Sequence, residues 1–112
     1  IVSNELDVAS LLDTAKMLFT LAVEIYQRTG IKVELINLGG GIGVPYRPGQ
    51  QPVDLAAFGS GVQELYEEIL VANDLAPVRI LMENGRAMTG PFGYLVTRVI
   101  NSKQTYKGYI GV

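Results

Sequence analysis

Two short segments of the sequence carry residue types that could bind a charged ligand. The first is a run of glycines, Gly39, Gly40 and Gly41, which follows an apolar stretch and leads into Ile42 and Gly43. Such a run lets the backbone approach a ligand closely, and its N–H groups can converge on an anion. At the carboxyl end of a parallel strand, the usual anion is a phosphate. A turn that binds nothing explains the run equally well, because short glycine motifs often occur by chance.

Two familiar phosphate-binding motifs do not match the glycine run. The dinucleotide fingerprint needs a third Gly or Ala three residues after its second glycine. That position holds Val44 or Tyr46, depending on the glycine from which the count begins. A P-loop needs Gly-Lys followed by Ser or Thr, and none of the four lysines has that context. The run is therefore another kind of phosphate loop or a simple turn.

The second segment consists of Glu83, Asn84, Gly85 and Arg86, and it follows the second short apolar stretch. Arg86 could bind a carboxylate or phosphate through two parallel hydrogen bonds, and Glu83 could pair with a cationic ring nitrogen. Taken alone, the segment is better explained as a polar strand end with a surface ion pair. Side by side, the two segments would offer an anion cradle next to an acid, which a phosphorylated pyridine cofactor requires.

The elements that must position these segments follow from hydrophobic periodicity. Apolar residues at helical spacing predict one helix over residues 6–27, ended by Gly30, and another over residues 53–72. Two short apolar stretches, residues 33–38 and 78–82, predict buried strands. Each candidate segment follows one of these strands, so both should open on the same edge of a parallel sheet.

The pattern changes after Gly90 and Pro91, where strand-like segments follow one another without a helix. Residues 94–100 and 106–112 are predicted as strands, and residues 101–103 as the turn between them. We therefore predict an α/β fold, with one domain over residues 1–90 and the start of a β domain over residues 91–112. Because the sequence begins without Met and stops within a strand-like segment, we expect a fragment of a longer protein. A naturally small domain is the alternative.

Composition excludes several classes of function. The 112 residues are 48% hydrophobic and 18% charged, which is typical of a folded domain. Nine basic and eleven acidic residues are scattered along the chain and form no basic stripe, which argues against nucleic-acid binding. No apolar run approaches the roughly 20 residues of a membrane span. The sequence has no Cys and no His, which excludes thiolate zinc sites and Ser-His-Asp catalysis and suits a cytoplasmic protein with no metal.

Both candidate segments resemble segments of one enzyme family. The stretch from Asn37 to Tyr46 resembles the Gly-Gly-Gly segment of diaminopimelate decarboxylases. Residues 83–86, followed by residues 90–99, resemble that family's Glu-Pro-Gly-Arg segment and the strand after it. The resemblance keeps its order and spacing over nearly the whole chain, although ornithine and arginine decarboxylases share the paired motifs.

The resemblance implies an alanine-racemase-like architecture, in which part of a (β/α)8 barrel runs into a C-terminal β domain. It implies pyridoxal 5′-phosphate as the cofactor, with Gly39, Gly40, Gly41 and Gly85 around the phosphate. It also implies that Glu83 faces the pyridine nitrogen.

Three further residues are assigned from the same resemblance. Arg86 is expected to bind the substrate or the phosphate. Asn84 is expected to be among the cofactor-binding residues; it replaces the family's usual Pro and is expected to loosen that loop without abolishing cofactor binding. Ser3 is a weak match to a Ser that follows the family's cofactor-stacking His.

The resemblance implies that the parent protein is a cytoplasmic, homodimeric carboxy-lyase that converts meso-diaminopimelate to lysine and CO2. An ornithine- or arginine-type decarboxylase, or a non-catalytic domain for phosphate ligands or protein interaction, remains open. The family's imine-forming Lys lies upstream, and its catalytic Cys and substrate-binding Tyr lie downstream. We therefore predict no catalytic residue in this chain and an inactive isolated fragment. Because a partial barrel leaves strand edges unpaired, we also predict that the isolated chain self-associates.

Overall fold

The structure, a computed structural model, describes residues 3–112. An α/β unit comes first along the chain, and an antiparallel hairpin follows it. The elements in chain order are α1 (Val8–Thr29), β1 (Leu35–Asn37), α2 (Leu55–Leu65), β2 (Arg79–Leu81), α3 (Arg86–Thr89), β3 (Asn101–Gln104) and β4 (Gly108–Gly111). Helix α2 continues through a π-helical turn, Tyr66–Leu70, and a 3-10 turn, Val71–Asn73, while Gly90–Phe92 forms a 3-10 turn after α3.

Helix α1 begins and ends at residues suited to those positions. The side chain of Asp7 accepts a hydrogen bond from the Ala9 N–H at the first turn. Gly30 ends the helix in the left-handed region, at φ 72°, and its N–H donates to the Tyr26 carbonyl. The predicted helix is confirmed, with each end about two residues further along the chain.

Strands β1 and β2 pair in parallel, with Ile36 opposite Ile80. The N–H of Leu38 continues the ladder by donating to the Leu81 carbonyl at 2.9 Å. In a regular parallel ladder the Glu83 N–H would then bond to the Leu38 carbonyl. It bonds instead to the carbonyl of Gly39, at 2.7 Å. The ladder therefore shifts by one carbonyl where the glycine run begins.

The segment before α1 pairs with the far end of the glycine run. The Glu5 N–H donates to the Gly41 carbonyl at 2.8 Å, and the Gly43 N–H donates to the Glu5 carbonyl at 2.7 Å. The pairing between Glu5 and Ile42 is also parallel. Segments that precede α1, precede α2 and follow α2 are thus joined by parallel hydrogen bonds, as expected when helices connect successive parallel strands.

The core lies between the two-stranded sheet and the helices. Phe19 and Leu70 are fully buried, and the Phe19 ring meets the Tyr66 ring edge-on at 6.2 Å between centroids. Gly61 lies where α2 crosses α1, since an added Cβ would come within 2.6 Å of Leu12 Cδ1. A side chain at this position would therefore have to displace the end of the Leu12 side chain.

The predicted strand over residues 94–100 is wrong. Residues 93–100 form no strand, and β3 (Asn101–Gln104) occupies the predicted turn. The turn lies at residues 105–107, before β4 (Gly108–Gly111) pairs with β3. Strand propensity mainly reflects packing against neighbouring strands. The apolar side chains of residues 94–96 are almost fully exposed, so their composition alone does not produce a strand.

Candidate functional site

The glycine run and the acidic segment meet at the carboxyl ends of β1 and β2. Gly39 accepts a main-chain hydrogen bond from Glu83, and a Cβ on Gly40 would overlap the Glu83 carbonyl oxygen. Any side chain at position 40 would therefore push the two segments apart. Gly39 and Gly41 have φ values of 74° and 101°, in the region that favours glycine. Each glycine of the run is thus required for conformation or for close approach.

Asn37 joins the two segments through its side chain. Its Nδ2 donates to Glu83 Oε1 at 2.6 Å, and its Oδ1 accepts from the Gly39 N–H at 2.8 Å. The sequence-based site did not include Asn37. Asparagine often closes a turn by accepting from the N–H two residues on, and this pattern could have drawn attention to it.

Hydrogen bonding within the protein decides which glycine N–H groups can serve an anion. The Gly39 N–H is used by Asn37, and the Gly43 N–H is used by Glu5. Within residues 3–112, the N–H groups of Gly40 and Gly41 have no acceptor. Those two groups are therefore the donors that the run can offer to a phosphate.

The remaining residues of the acidic segment lie at the entrance to α3. Gly85 precedes the helix with φ −76°, a conformation open to any residue, and an added Cβ would meet no atom within 4 Å. Arg86 begins α3, and its Cζ lies 5.8 Å from the centre of the Tyr46 ring, within cation–π range. Asn84 Oδ1 is enclosed, with no hydrogen-bond partner in the described part of the chain.

Ser3 is exposed, whereas its neighbour Glu5 is part of a hydrogen-bonded cluster. The Glu5 carboxylate accepts from the N–H groups of Leu6 and Asp7, each at 2.9 Å, and from Ser10 Oγ at 3.0 Å. These bonds, that from the Asp7 N–H first, lower the pKa of Glu5. Glu5 and Ser10 also line a cavity of about 130 Å³ that reaches Gly40.

The polar groups at the two strand ends are main-chain N–H groups of the glycine run and the Glu83 carboxylate. The glycine donors and the Glu83 carboxylate belong to hydrogen-bonded strand ends, so one small ligand could contact both. No cluster of three Asp or Glu side chains that could hold a metal exists among residues 3–112.

None of the helices described combines the length and the hydropathy needed to cross a bilayer.

Comparison with known proteins identifies the family to which the chain belongs. The family model described as "pyridoxal-dependent decarboxylase, pyridoxal binding domain" matches residues 1–90. The chain belongs to this decarboxylase family. The resemblance found in the sequence is thereby confirmed, and with it pyridoxal phosphate as the family's cofactor.

Individual relatives match nearly the whole chain. Diaminopimelate decarboxylase of Methanothermobacter thermautotrophicus is 33% identical over 110 residues, which are 98% of this chain and 26% of the relative. L-glutamyl-[BtrI acyl-carrier protein] decarboxylase of Niallia circulans is 31% identical over 112 residues, covering 98% of this chain and 25% of the relative. The chain therefore spans about a quarter of the length of these relatives.

Solved structures share the fold. A crystal structure of diaminopimelate decarboxylase from M. jannaschi superposes with a TM-score of 0.82 at 23% identity, over 98% of this chain and 25% of that one. A second crystal structure of the M. jannaschii enzyme, in complex with L-lysine, has a TM-score of 0.75 at 27% identity and the same coverage. The α/β unit and hairpin are thus a known part of a decarboxylase fold.

Proposed function

We propose that this chain is the phosphate- and pyridine-binding quarter of a pyridoxal-phosphate-dependent amino-acid decarboxylase. Residues 1–90 would form the last βα units of a (β/α)8 barrel, and residues 91–112 would begin the C-terminal β domain. The family match over residues 1–90 and the parallel pairing of successive segments support this division.

The observation that carries the proposal is the direct contact between Gly40 and the Glu83 main chain. It holds the anion-binding amides beside an acid, at a separation fixed by backbone contacts. We assign the cofactor phosphate to the N–H groups of Gly40 and Gly41. Gly39 would shape that turn. Glu83 would face the ring nitrogen.

The rim of the site would be completed by Asn84, Gly85 and Arg86. Gly85 leaves open space beside the strand end, which a phosphate could approach. Arg86 would bind the phosphate or a substrate carboxylate, with its guanidinium steadied against Tyr46. Asn84 would cover the floor of the loop, because its side chain turns toward Met82.

When bound, pyridoxal phosphate supplies an electron sink for the loss of CO2 from an amino acid. The residues of this chain would bind and orient the cofactor. Glu83 would keep a proton on the ring nitrogen, because a carboxylate beside that atom favours its cationic form. The glycine amides would hold the phosphate end, so that the ring nitrogen stays within reach of Glu83.

The substrate we propose is meso-diaminopimelate, with lysine and CO2 as products. The M. thermautotrophicus relative and the lysine complex of the M. jannaschii enzyme support this choice. An ornithine- or arginine-type decarboxylase is the second candidate. The N. circulans relative, named for a carrier-linked substrate, is almost as similar as the first relative. Specificity therefore depends mainly on residues outside this quarter of the protein.

The proposal is tested on the full-length protein. We expect it to bind pyridoxal phosphate and to release CO2 from diaminopimelate faster than from ornithine or arginine, whereas the 112-residue chain should release none. Gly40→Ala should weaken cofactor binding by at least about tenfold, since the new methyl group collides with the Glu83 carbonyl.

Gly59→Ala is the matched control, because an added Cβ at that position of α2 meets no atom within 4 Å. Cofactor affinity is measured by absorbance titration for both variants. Unchanged affinity in Gly40→Ala, or a full-length protein that does not bind the cofactor, would overturn the proposed site.

A further inference from the structure

The Asn37 side chain contacts both halves of the proposed cofactor site. Its Oδ1 accepts from the Gly39 N–H, a group that can only donate, so the orientation of the amide is determined. The NH2 group therefore faces Glu83, to which it donates at 2.6 Å. A carboxylate oxygen accepts hydrogen bonds, so the NH2 group is the part of the amide that can bind it.

Glu83 depends on Asn37 for its orientation. Both side chains lie on the exposed face of the two-stranded sheet, where neighbouring side chains provide little packing. The bond from Asn37 is the one hydrogen bond to the Glu83 carboxylate within residues 3–112. It engages Oε1 and leaves Oε2 available to a ligand.

The same amide also selects the phosphate donors. Asn37 occupies the Gly39 N–H. The N–H groups of Gly40 and Gly41 have no acceptor among residues 3–112 and are left to bind the anion. One asparagine thus determines where the anion begins and which way the acid points.

We propose that Asn37 is a positioning residue, which aligns Glu83 Oε2 with the ring nitrogen of the cofactor and assigns the phosphate to Gly40 and Gly41. This inference rests on the proposed function of Glu83. Asn37 would contact neither the cofactor nor the substrate, and its effect on the ring would pass through Glu83.

A double-mutant cycle in the full-length protein separates this role from a purely structural one. Asn37→Ser keeps an oxygen that can accept from the Gly39 N–H, but its side chain is too short to reach Glu83. Asn37→Ser and Glu83→Ala are made singly and together, and the dissociation constant of pyridoxal phosphate is measured by absorbance titration. The pH dependence of the visible absorption of the bound cofactor is a second readout.

We expect Asn37→Ser to weaken cofactor binding by about tenfold in the wild-type background and by less than about twofold beside Glu83→Ala, because the partner it orients is then gone. The absorption profile should shift in the same direction as in Glu83→Ala. Asn73→Ala is the matched control, since it removes an asparagine hydrogen bond at the end of the α2 extension.

Equal losses in both backgrounds would overturn the inference, because Asn37 would then serve only the turn. No loss in either background would overturn it as well. If Asn37→Ser lowers the melting temperature of the cofactor-free protein, the cycle is repeated with Asn37→Thr, whose branched side chain suits a strand. Failure of the proposed function is distinguishable, since Glu83→Ala itself would then leave affinity and absorption unchanged.

Discussion

The α/β unit, residues 3–92, buries part of its large apolar side chains, whereas the tail, residues 93–112, contains no buried residue. In the first, Phe19 and Leu70 are 0% exposed, whereas in the second Leu95 is 88% exposed and Tyr94 is 93% exposed. Both regions contain aromatic and branched aliphatic residues. The difference is that the unit contains helices that cover its sheet, while nothing in residues 3–112 covers the tail.

This contrast shows that apolar content alone does not determine whether a segment is buried, because burial also needs a covering surface. Full burial of a large aliphatic side chain contributes roughly 1.5–3 kcal/mol, so exposed positions such as Leu95 and Val96 gain stability once another surface covers them. We expect that surface to belong to the rest of the full-length protein. Self-association of the isolated chain, which follows from unpaired strand edges, stays a prediction, and the exposed tail would add to it.

The strongest test of the contrast compares two leucines. In the 112-residue chain, Leu70→Ala should lower the free energy of unfolding by about 2–5 kcal/mol, because it empties a fully buried site. Leu95→Ala should change it by less than about 0.5 kcal/mol. In the full-length protein the cost of Leu95→Ala should rise toward that of a buried leucine. Denaturant titration gives all four values, and a Leu95 effect that is small in both proteins would contradict the idea of a covered tail.

A smaller effect is expected where the two long helices cross. Gly59→Ala, on an open part of α2, should stabilise the unit by about 0.5–1 kcal/mol. Gly61→Ala should lack this gain, since its new methyl group must displace the end of the Leu12 side chain. The melting temperature, measured by circular dichroism, should therefore be lower in Gly61→Ala than in Gly59→Ala. Equal melting temperatures would show that close packing at Gly61 is unimportant.

The smallest effect concerns the polar edge of the unit. The hydrogen bonds that Glu5 accepts lower its pKa from 4.5. The ionised Glu5 side chain should therefore stabilise the fold above pH 4.5, and this contribution should be lost as the pH falls through the folded-state pKa. Ser10→Ala removes one of these bonds, so the acid dependence of unfolding should weaken and the Glu5 titration, followed by NMR, should move upward. Ser60→Ala on exposed α2 is the control. An unchanged Glu5 titration in Ser10→Ala would contradict the assignment.

Sequence patterns predicted the unit well because its signals are local. The helical stripe and Gly30 placed α1 within about two residues, and the direction of parallel strands brought Gly40 and Glu83 together. The tail was predicted poorly, since alternation in residues 94–100 does not reveal whether a partner strand exists. The role of Asn37 depends on a side-chain rotamer and on Glu83, 46 residues further along the chain, which no local pattern specifies.

The displaced hydrogen bond between Gly39 and Glu83 has a mechanical consequence. It couples the two loops backbone to backbone, so main-chain contacts set the separation of the loops, while the direction of the Glu83 carboxylate depends on the Asn37 side chain. We therefore expect Asn84, in place of the family's usual proline, to loosen its loop without separating the two main chains. Thermal motion of the two loops should therefore be correlated, so that they move together as one rigid body.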